Sequence, residues 1–344
     1  MTIQPNVYAL PGRRPVHGSV TSARRAAGFT LVELMIAMAI GLVLVAGLLM
    51  ALGSTLGSSR TNDRTSELQS DGRYALNLMK QELRQAGYRG YTWPTPNSAS
   101  TALGTSAGEC GDGTGSFVSN IRQGIWGAND SNPFLANCMP DKAGAAGGDV
   151  LAIRLMDGTP VATPVANTFY FRSTYAAGEV FRGATVPAMF PAGTPVANFA
   201  LQTSVYHVLP YSVSSTETPL VPALHRVALR SDGSMARELV SSGIEQLQVQ
   251  YGRVTASTAT TTTQYFDTFT ATNCTGCALD GNGTASTETV WDEVNAVRIW
   301  VLSRSSTPEP GYTNTGSYVM GDKTITVNDG FRRQLFSTVV QLRN

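Results

Sequence analysis

One acidic residue stands at the start of a long uncharged stretch, and its position allows a specific charge pairing. Glu33 precedes residues 34–59, which contain no Asp, Glu, Lys or Arg. A carboxylate inside a bilayer costs roughly 2.5–3.5 kcal/mol on insertion scales, so such a residue is a functional candidate with a partner. Cleavage after Gly28 would create a positively charged α-amine on Phe29, about one helical turn from Glu33. Such a cleavage would give Glu33 the positively charged partner that its position calls for.

The four cysteines form a second set of reactive side chains: Cys110, Cys138, Cys274 and Cys277. An even number in an exported domain suggests disulfide bonds, and the economical pairing joins each local pair, although three pairings are possible. The spacing of Cys274 and Cys277 also fits a redox CxxC motif, but the surrounding sequence shows no helical pattern. We favour structural disulfides, with redox chemistry and free thiols as alternatives. A zinc site would need a second closely spaced pair.

Two short patterns suggest catalysis or metal binding but lack the surroundings that these need. Residues 104–108 match the GxSxG form of a hydrolase nucleophile, which requires a preceding strand, a following helix, and His and acidic partners. A loop-type segment precedes the pattern, and after residue 28 the histidines are His207 and His225. Residues 280–284 resemble a calcium loop without flanking helices, so a turn is favoured and calcium stays open. We predict no catalytic residues, no metal site and no cofactor.

The composition is that of an exported protein. The chain has 344 residues, of which 14% are charged, and a net charge of +1. Residues 1–28 carry four arginines and no acid, and their removal leaves 21 basic and 24 acidic residues, a net charge of −3. No concentrated basic face indicates nucleic-acid binding. A basic leader ahead of an apolar segment favours a cytoplasmic N-terminus.

Residues 29–53, which directly follow the Gly–Phe junction, are long and apolar enough to form a membrane-spanning helix. They span roughly 36 Å as a helix, enough for a hydrocarbon core of about 30 Å. A secretory signal peptide would place its cleavage site after the apolar region instead of before it. An ordinary membrane anchor would explain the length of the apolar run but not the presence of Glu33 next to a Gly–Phe junction. For a buried core helix the apolar run would be unusually long.

The helical pattern continues through residues 54–90 in amphipathic form. Its apolar positions recur at three- and four-residue steps: Leu68, Gly72, Ala75, Met79, Leu83 and Ala86. Gly87 follows as a C-cap. The sequence therefore predicts one helix over residues 29–86, apolar all round at first and then one-sided against a globular head.

Residues 91–344 read as this head. The stretch 91–148 is rich in Gly, Ser, Asn and Pro and is predicted to be irregular. Strand-like runs follow at 150–155, 168–172, 200–209, 224–230, 244–254, 296–303 and 335–342, with a hairpin predicted at 322–330 around Asp329 and Gly330. No helical pattern separates these runs, which indicates an antiparallel sheet. The predicted fold class is α+β: a long N-terminal helix packed on a mainly antiparallel β-sheet head.

The N-terminal residues resemble the class III signal of type IV pilins and pseudopilins. Arg24 and Arg25 precede the sequence AAG, which is followed by FTLVE at residues 29–33. The resemblance implies that a prepilin peptidase cuts after Gly28 and methylates the amine of Phe29, and that Glu33 assists assembly. Three stretches of the head, 238–252, 297–305 and 332–344, resemble the PilW family of minor pilins.

This resemblance implies a minor pilin that helps to initiate or assemble type IV pili without enzymatic activity. The implied partners are other minor and major pilins, the prepilin peptidase and the inner-membrane assembly platform. The implied location is the inner membrane, with a cytoplasmic N-terminus and a periplasmic head, followed by the pilus. Two alternatives stay open: a J-type minor pseudopilin of type II secretion, and a membrane-tethered adhesin that binds through residues 91–148.

Overall fold

A single long helix precedes all of the β structure in a computed structural model of the chain, which describes residues 28–92, 103–111, 117–134, 138–188, 195–256, 261–270 and 288–342. Helix α1 covers Leu31–Gln85, and the chain divides into two compact units within it, between Ser59 and Arg60. Its ends lie one or two residues inside the predicted 29–86. Gly87 follows with a φ of 75°, the left-handed conformation that ends many helices.

The second unit contains the strands. They are β1 (Ile125–Ala128), β2 (Val150–Pro160), β3 (Phe169–Ser173), β4 (Gly178–Arg182), β5 (Ala197–Leu209), β6 (Ala223–Leu229), β7 (Met235–Ser242), β8 (Ile244–Ala256), β9 (Thr261–Phe266), β10 (Val294–Arg304), β11 (Ser317–Met320), β12 (Lys323–Thr326) and β13 (Arg333–Gln341). A short helix, α2 (Glu288–Asp292), precedes β10.

The strands form three antiparallel sheets. The largest has the order β1-β2-β5-β3-β4, with β6 paired to β5 and β7 to β6. The second has the order β13-β10-β8-β9, and β11 pairs with β12 in the third. The predicted α+β class, a long N-terminal helix with a mainly antiparallel β-sheet head, is confirmed.

An aromatic cluster lies between the two large sheets. The Trp291 ring lies 4.8 Å from those of Tyr251 and Phe269, and 6.3 Å from that of Trp126. Gly127 on β1 contacts the Tyr251 hydroxyl, where a Cβ atom would overlap it. A glycine at this position therefore lets the two sheets approach each other.

Three local predictions are wrong. Residues 91–148 are not wholly irregular, because β1 pairs with β2 over four residues, a length too short to show alternation. The hairpin turns at Gly321 and Asp322 instead of Asp329 and Gly330, since Gly321 supplies a positive φ of 58°. Helix α2 interrupts the strands, and its five residues are too few to display helical periodicity.

Candidate functional site

The processing junction lies immediately before α1. Thr30 is the N-cap residue: its side-chain oxygen accepts the backbone N–H of Glu33 at 3.2 Å, and its carbonyl accepts that of Leu34 at 3.1 Å. Glu33 is thus the third helical residue, and Thr30 and Glu33 have the spacing of a capping box. A negative charge in the first turn also stabilises the helix dipole. Thr30 was missed in the sequence, although its spacing from Glu33 is a sufficient signal.

Phe29 precedes this cap with its side chain 84% exposed. Phe29 lies four positions before Glu33, about the number of residues in one helical turn, so an amine on Phe29 would lie near the Glu33 carboxylate. The geometry therefore allows a charge pair at the helix N-terminus, either within one chain or with a neighbouring copy.

The helix beyond Glu33 presents an uninterrupted apolar surface. Every large apolar side chain from Leu31 to Leu56 is more than half exposed, far beyond the patch size that a soluble monomer leaves open. Among the described residues, α1 is the one helix whose length and composition would let it cross a membrane, and none of its most apolar window is buried. Such a surface requires lipid or other apolar helices around it.

The part of α1 after Arg60 buries one face against the β head. All six positions of the predicted apolar face are buried: Leu68, Gly72, Ala75, Met79, Leu83 and Ala86. Ser303 and Ser241 donate side-chain hydrogen bonds to the carbonyls of Leu68 (3.1 Å) and Asp71 (3.3 Å). Burial, followed by the charge of Glu67, raises the pKa of Asp71. Glu82 forms an ion pair with Arg226 at 2.6 Å. The helix is thus fixed to the head by packing and by polar contacts at both flanks.

The structure places the cysteine and hydrolase candidates as follows. Cys110 and Cys138 form a disulfide bond, and both are buried. Cys274, Cys277 and the calcium-like residues 280–284 lie outside the described residues. Residues 103–110 contain neither strand nor helix, so the GxSxG pattern lacks the strand–turn–helix geometry of a nucleophile elbow.

The two histidines pair across adjacent strands inside the head. His207 on β5 lies opposite His225 on β6, with ring centroids 6.0 Å apart. Burial lowers the pKa of His207 to about 3, and repulsion from His225, when that ring is protonated, and from Lys142 and Arg237 adds to this effect. Both rings are therefore neutral core groups at neutral pH, because burial also lowers the pKa of His225.

A buried lysine organises the loop before β2. Lys142 is 3% exposed, and its ammonium donates hydrogen bonds to the carbonyls of Gly144, Ala146 and Gly148 at 2.8–2.9 Å. Burial lowers its pKa to about 8. The adjacent Asp149 accepts backbone N–H groups from Asp130 and Val249, and burial raises its pKa to about 8. Nothing in the local sequence pattern indicated this arrangement.

Family models match both ends of the chain. Residues 23–49 match the family model described as the prokaryotic N-terminal methylation motif, and residues 210–344 match that of type IV pilus-assembly protein W. A type IV-like pilin from Thermus thermophilus is 14% identical, with a TM-score of 0.29 over 82% of this chain and 96% of that one. No curated protein sequence matches. The two family matches support a type IV pilus minor pilin of the PilW family.

Proposed function

We propose that the chain is made as a prepilin, cut between Gly28 and Phe29, and incorporated into a type IV pilus or its initiating complex as a structural, non-enzymatic subunit. The observation that carries this proposal is the GFTLVE junction directly before a helix with no charge from residue 34 to residue 59. The family match over residues 210–344 supports a pilus subunit over a type II secretion pseudopilin.

The proposed organisation assigns one task to each segment. Residues 1–28 are the leader, 29–53 span the inner membrane, 54–90 extend the helix, and 91–344 form the head. The N-terminus is cytoplasmic and the head periplasmic until the subunit enters the filament. Other minor and major pilins, the prepilin peptidase and the inner-membrane assembly platform are the proposed partners.

Glu33 acts during assembly by offsetting the positive amine of Phe29, either its own or that of a neighbouring subunit. Transfer of an uncompensated amine from the membrane interface into a packed apolar core is unfavourable, and removal of one partner of a buried pair costs roughly 3–5 kcal/mol. The carboxylate therefore matters after insertion and cleavage, when helices pack against one another.

Mass spectrometry of the mature N-terminus tests the processing step. A mature chain that begins with N-methylated Phe29 supports the proposal, whereas one that begins after Leu52 contradicts it. In Gly28→Asp the precursor should stay uncut, because a charged side chain replaces the small residue at the cleavage site.

Two substitutions of Glu33 separate its charge from its position in the helix cap. Glu33→Val should insert and be cleaved normally but should fail to support piliation in cells that lack the native chain. Glu33→Gln keeps a side chain that suits a capping box but carries no charge. If the charge of Glu33 is what assembly requires, both variants should lose surface pili to the same extent. The number of surface pili is measured together with the amount of each variant in the membrane and its cleavage. Normal piliation with processed Glu33→Val protein would exclude the proposed role.

A further inference from the structure

Strands β11 and β12 form a hairpin that is not part of either large sheet. Over the described ranges the two strands pair only with each other, along four residues each. A lone two-stranded hairpin is marginally stable at best in water. Contacts outside its own hydrogen bonds must therefore keep this hairpin in place.

The hairpin lies on the face of the second sheet that points away from the main core. Successive side chains of a strand point to opposite faces, and Val301 on β10 belongs to the main core whereas the next residue, Leu302, does not. Leu302 is nevertheless fully buried, as is Met320 at the end of β11, which also lies outside the main core. The turn at Gly321 adjoins Gln250 of β8, because a Cβ atom there would lie 3.5 Å from the side-chain nitrogen of Gln250. The hairpin thus covers a separate apolar strip that includes Leu302 and Met320.

Polar contacts hold the turn of the hairpin to the loop that follows β1. The Lys323 ammonium lies 2.7 Å from both carboxylate oxygens of Asp130, and the side-chain amide of Asn129 donates to Asp322 at 2.7 Å. The side chains of Lys323 and Asp130 are each 28% exposed. Ion pairs that water reaches contribute little to stability and weaken further in salt. The turn is therefore held weakly.

The loop that receives the turn is shaped by contacts that do not involve the hairpin. Asp130 has a positive φ of 43°, which a residue other than glycine keeps only where its surroundings fix it. Its backbone N–H donates to the buried Asp149 at 3.0 Å, and the side chain of Gln248 donates to its carboxylate at 3.2 Å. Asp130 therefore stays in place for Lys323 when the hairpin moves away.

The base of the hairpin is fixed more firmly than its turn. Asn314 and Asp329 exchange two backbone hydrogen bonds, at 2.6 and 3.2 Å. The side-chain amide of Asn314 also donates to the carbonyl of Phe331 at 3.0 Å, and Arg333 on β13 donates to the Asp329 carboxylate at 2.7 Å. A hairpin that is firm at its base and weakly held at its turn can swing about the base.

We propose that residues 315–328 form an arm that opens about its base while the rest of the head stays folded, and that the ion pair of Asp130 with Lys323 is its latch. Opening leaves both large sheets intact, because no strand of either sheet pairs with the arm over the described ranges. Segments of low local stability open separately from the rest of a protein in this way. The arm thus controls whether the apolar strip of Leu302 and Met320 is covered. Opening requires neither cleavage at Gly28 nor a filament, and it therefore goes beyond the proposed function.

Hydrogen exchange of the full chain in detergent, measured for each peptide, tests the latch. Lys323→Met removes the charge but keeps an apolar stem, so the amides of residues 317–326 should exchange several-fold faster while those of β10 and β13 keep their rates. Added salt should accelerate the same amides in the unaltered chain and have no such effect in Lys323→Met. Lys80→Met is the matched control, because Lys80 lies on α1, and it should leave exchange in the hairpin unchanged.

Thiol labelling measures whether the apolar strip becomes uncovered. Met320→Cys should react slowly in the otherwise unaltered chain and several-fold faster when Lys323→Met is added. Val319→Cys, at a neighbouring position that is 63% exposed, should react equally fast in both backgrounds. Equal labelling of Met320→Cys with and without Lys323→Met would overturn the proposal. So would faster exchange that extends through β10 and β13, since the hairpin would then open only together with the whole head.

Discussion

The two parts of helix α1 share one backbone conformation but have opposite surroundings. Before Arg60 every large apolar side chain is exposed, whereas after Arg60 most apolar side chains, although not Tyr74, form one buried face and the charged ones surround it. Helical structure alone therefore does not determine what the helix contacts. The all-round apolar surface of the first part can be satisfied only by lipid or by other helices, while the one-sided surface of the second part is satisfied within the chain.

Truncation of a buried methionine in the second part of α1 is expected to cause the largest loss of stability of the head. Met79→Ala should lower the free energy of unfolding of the head by about 2–5 kcal/mol, because Met79 is completely buried. Met50→Ala is the matched control in the first part of α1, where the side chain is 78% exposed, and should change it by less than about 0.5 kcal/mol.

Chemical unfolding of the full chain in detergent, followed by tryptophan fluorescence, measures both variants. Trp126 and Trp291 lie in the core of the head, so their emission reports that unit. Equal losses for Met79→Ala and Met50→Ala would show that the two parts of α1 do not differ in how they contribute to the head.

Acid should destabilise the head because His207 is buried in its neutral form. The buried ring stays neutral in the folded protein, whereas in the unfolded chain it takes up a proton below its ordinary pKa of about 6.5. Its contribution to stability therefore falls as the pH drops, by about 2 kcal/mol between pH 7 and pH 5. His207→Phe should remove this part of the pH dependence, whatever its effect at pH 7.

Val205→Ala is the control for that comparison, because Val205 is a buried neighbour on the same strand that does not titrate. It should lower stability equally at pH 7 and pH 5. The interpretation fails if His207→Phe retains the full acid sensitivity of the unaltered chain, measured by the same unfolding experiment at both values.

A glycine-to-alanine pair gives the smallest expected effect. Gly72 faces the ring of Phe336, and an added Cβ would overlap it, whereas an added Cβ at Gly57 meets nothing within 4 Å. Gly72→Ala should destabilise the head by about 1 kcal/mol, at the low end for overpacking, because the half-buried ring of Phe336 has room to shift. Gly57→Ala should leave the head unchanged. An unaltered head in both variants would argue against close packing at Gly72.

Periodicity explains why α1 could be predicted and parts of the head could not. A long helix repeats its pattern, so the buried positions from Leu68 to Ala86 were evident from their spacing alone. The strand state of β1 depends instead on β2 beside it and on Tyr251 against Gly127, contacts that are remote in sequence. The hairpin of β11 and β12 was misplaced because Asp329 and Gly330 offered a turn signal as strong as the one used at Gly321.

In the candidate site, too, local patterns could be predicted from the sequence whereas contacts between distant residues could not. The roles of Gly28, Phe29 and Glu33 were proposed from a compact local motif, and the structure adds the Thr30 cap that positions Glu33 in the first turn. The surroundings of His207 and Lys142 arise from elements distant in the chain, and no local pattern marks them. Local motifs thus predict how the chain is processed, whereas long-range packing determines the properties of its head.

Because three carbonyl groups surround the ammonium of Lys142, the chemical reactivity of this residue reports whether the head is folded. The sequence contains three lysines, Lys80, Lys142 and Lys323. An amine-reactive reagent reaches the ammonium of Lys142 only after the loop has opened, whereas Lys80 on α1 is only partly buried and can react in the folded head. Labelling of the full chain, read peptide by peptide, would therefore distinguish copies whose head has folded from copies whose head has not.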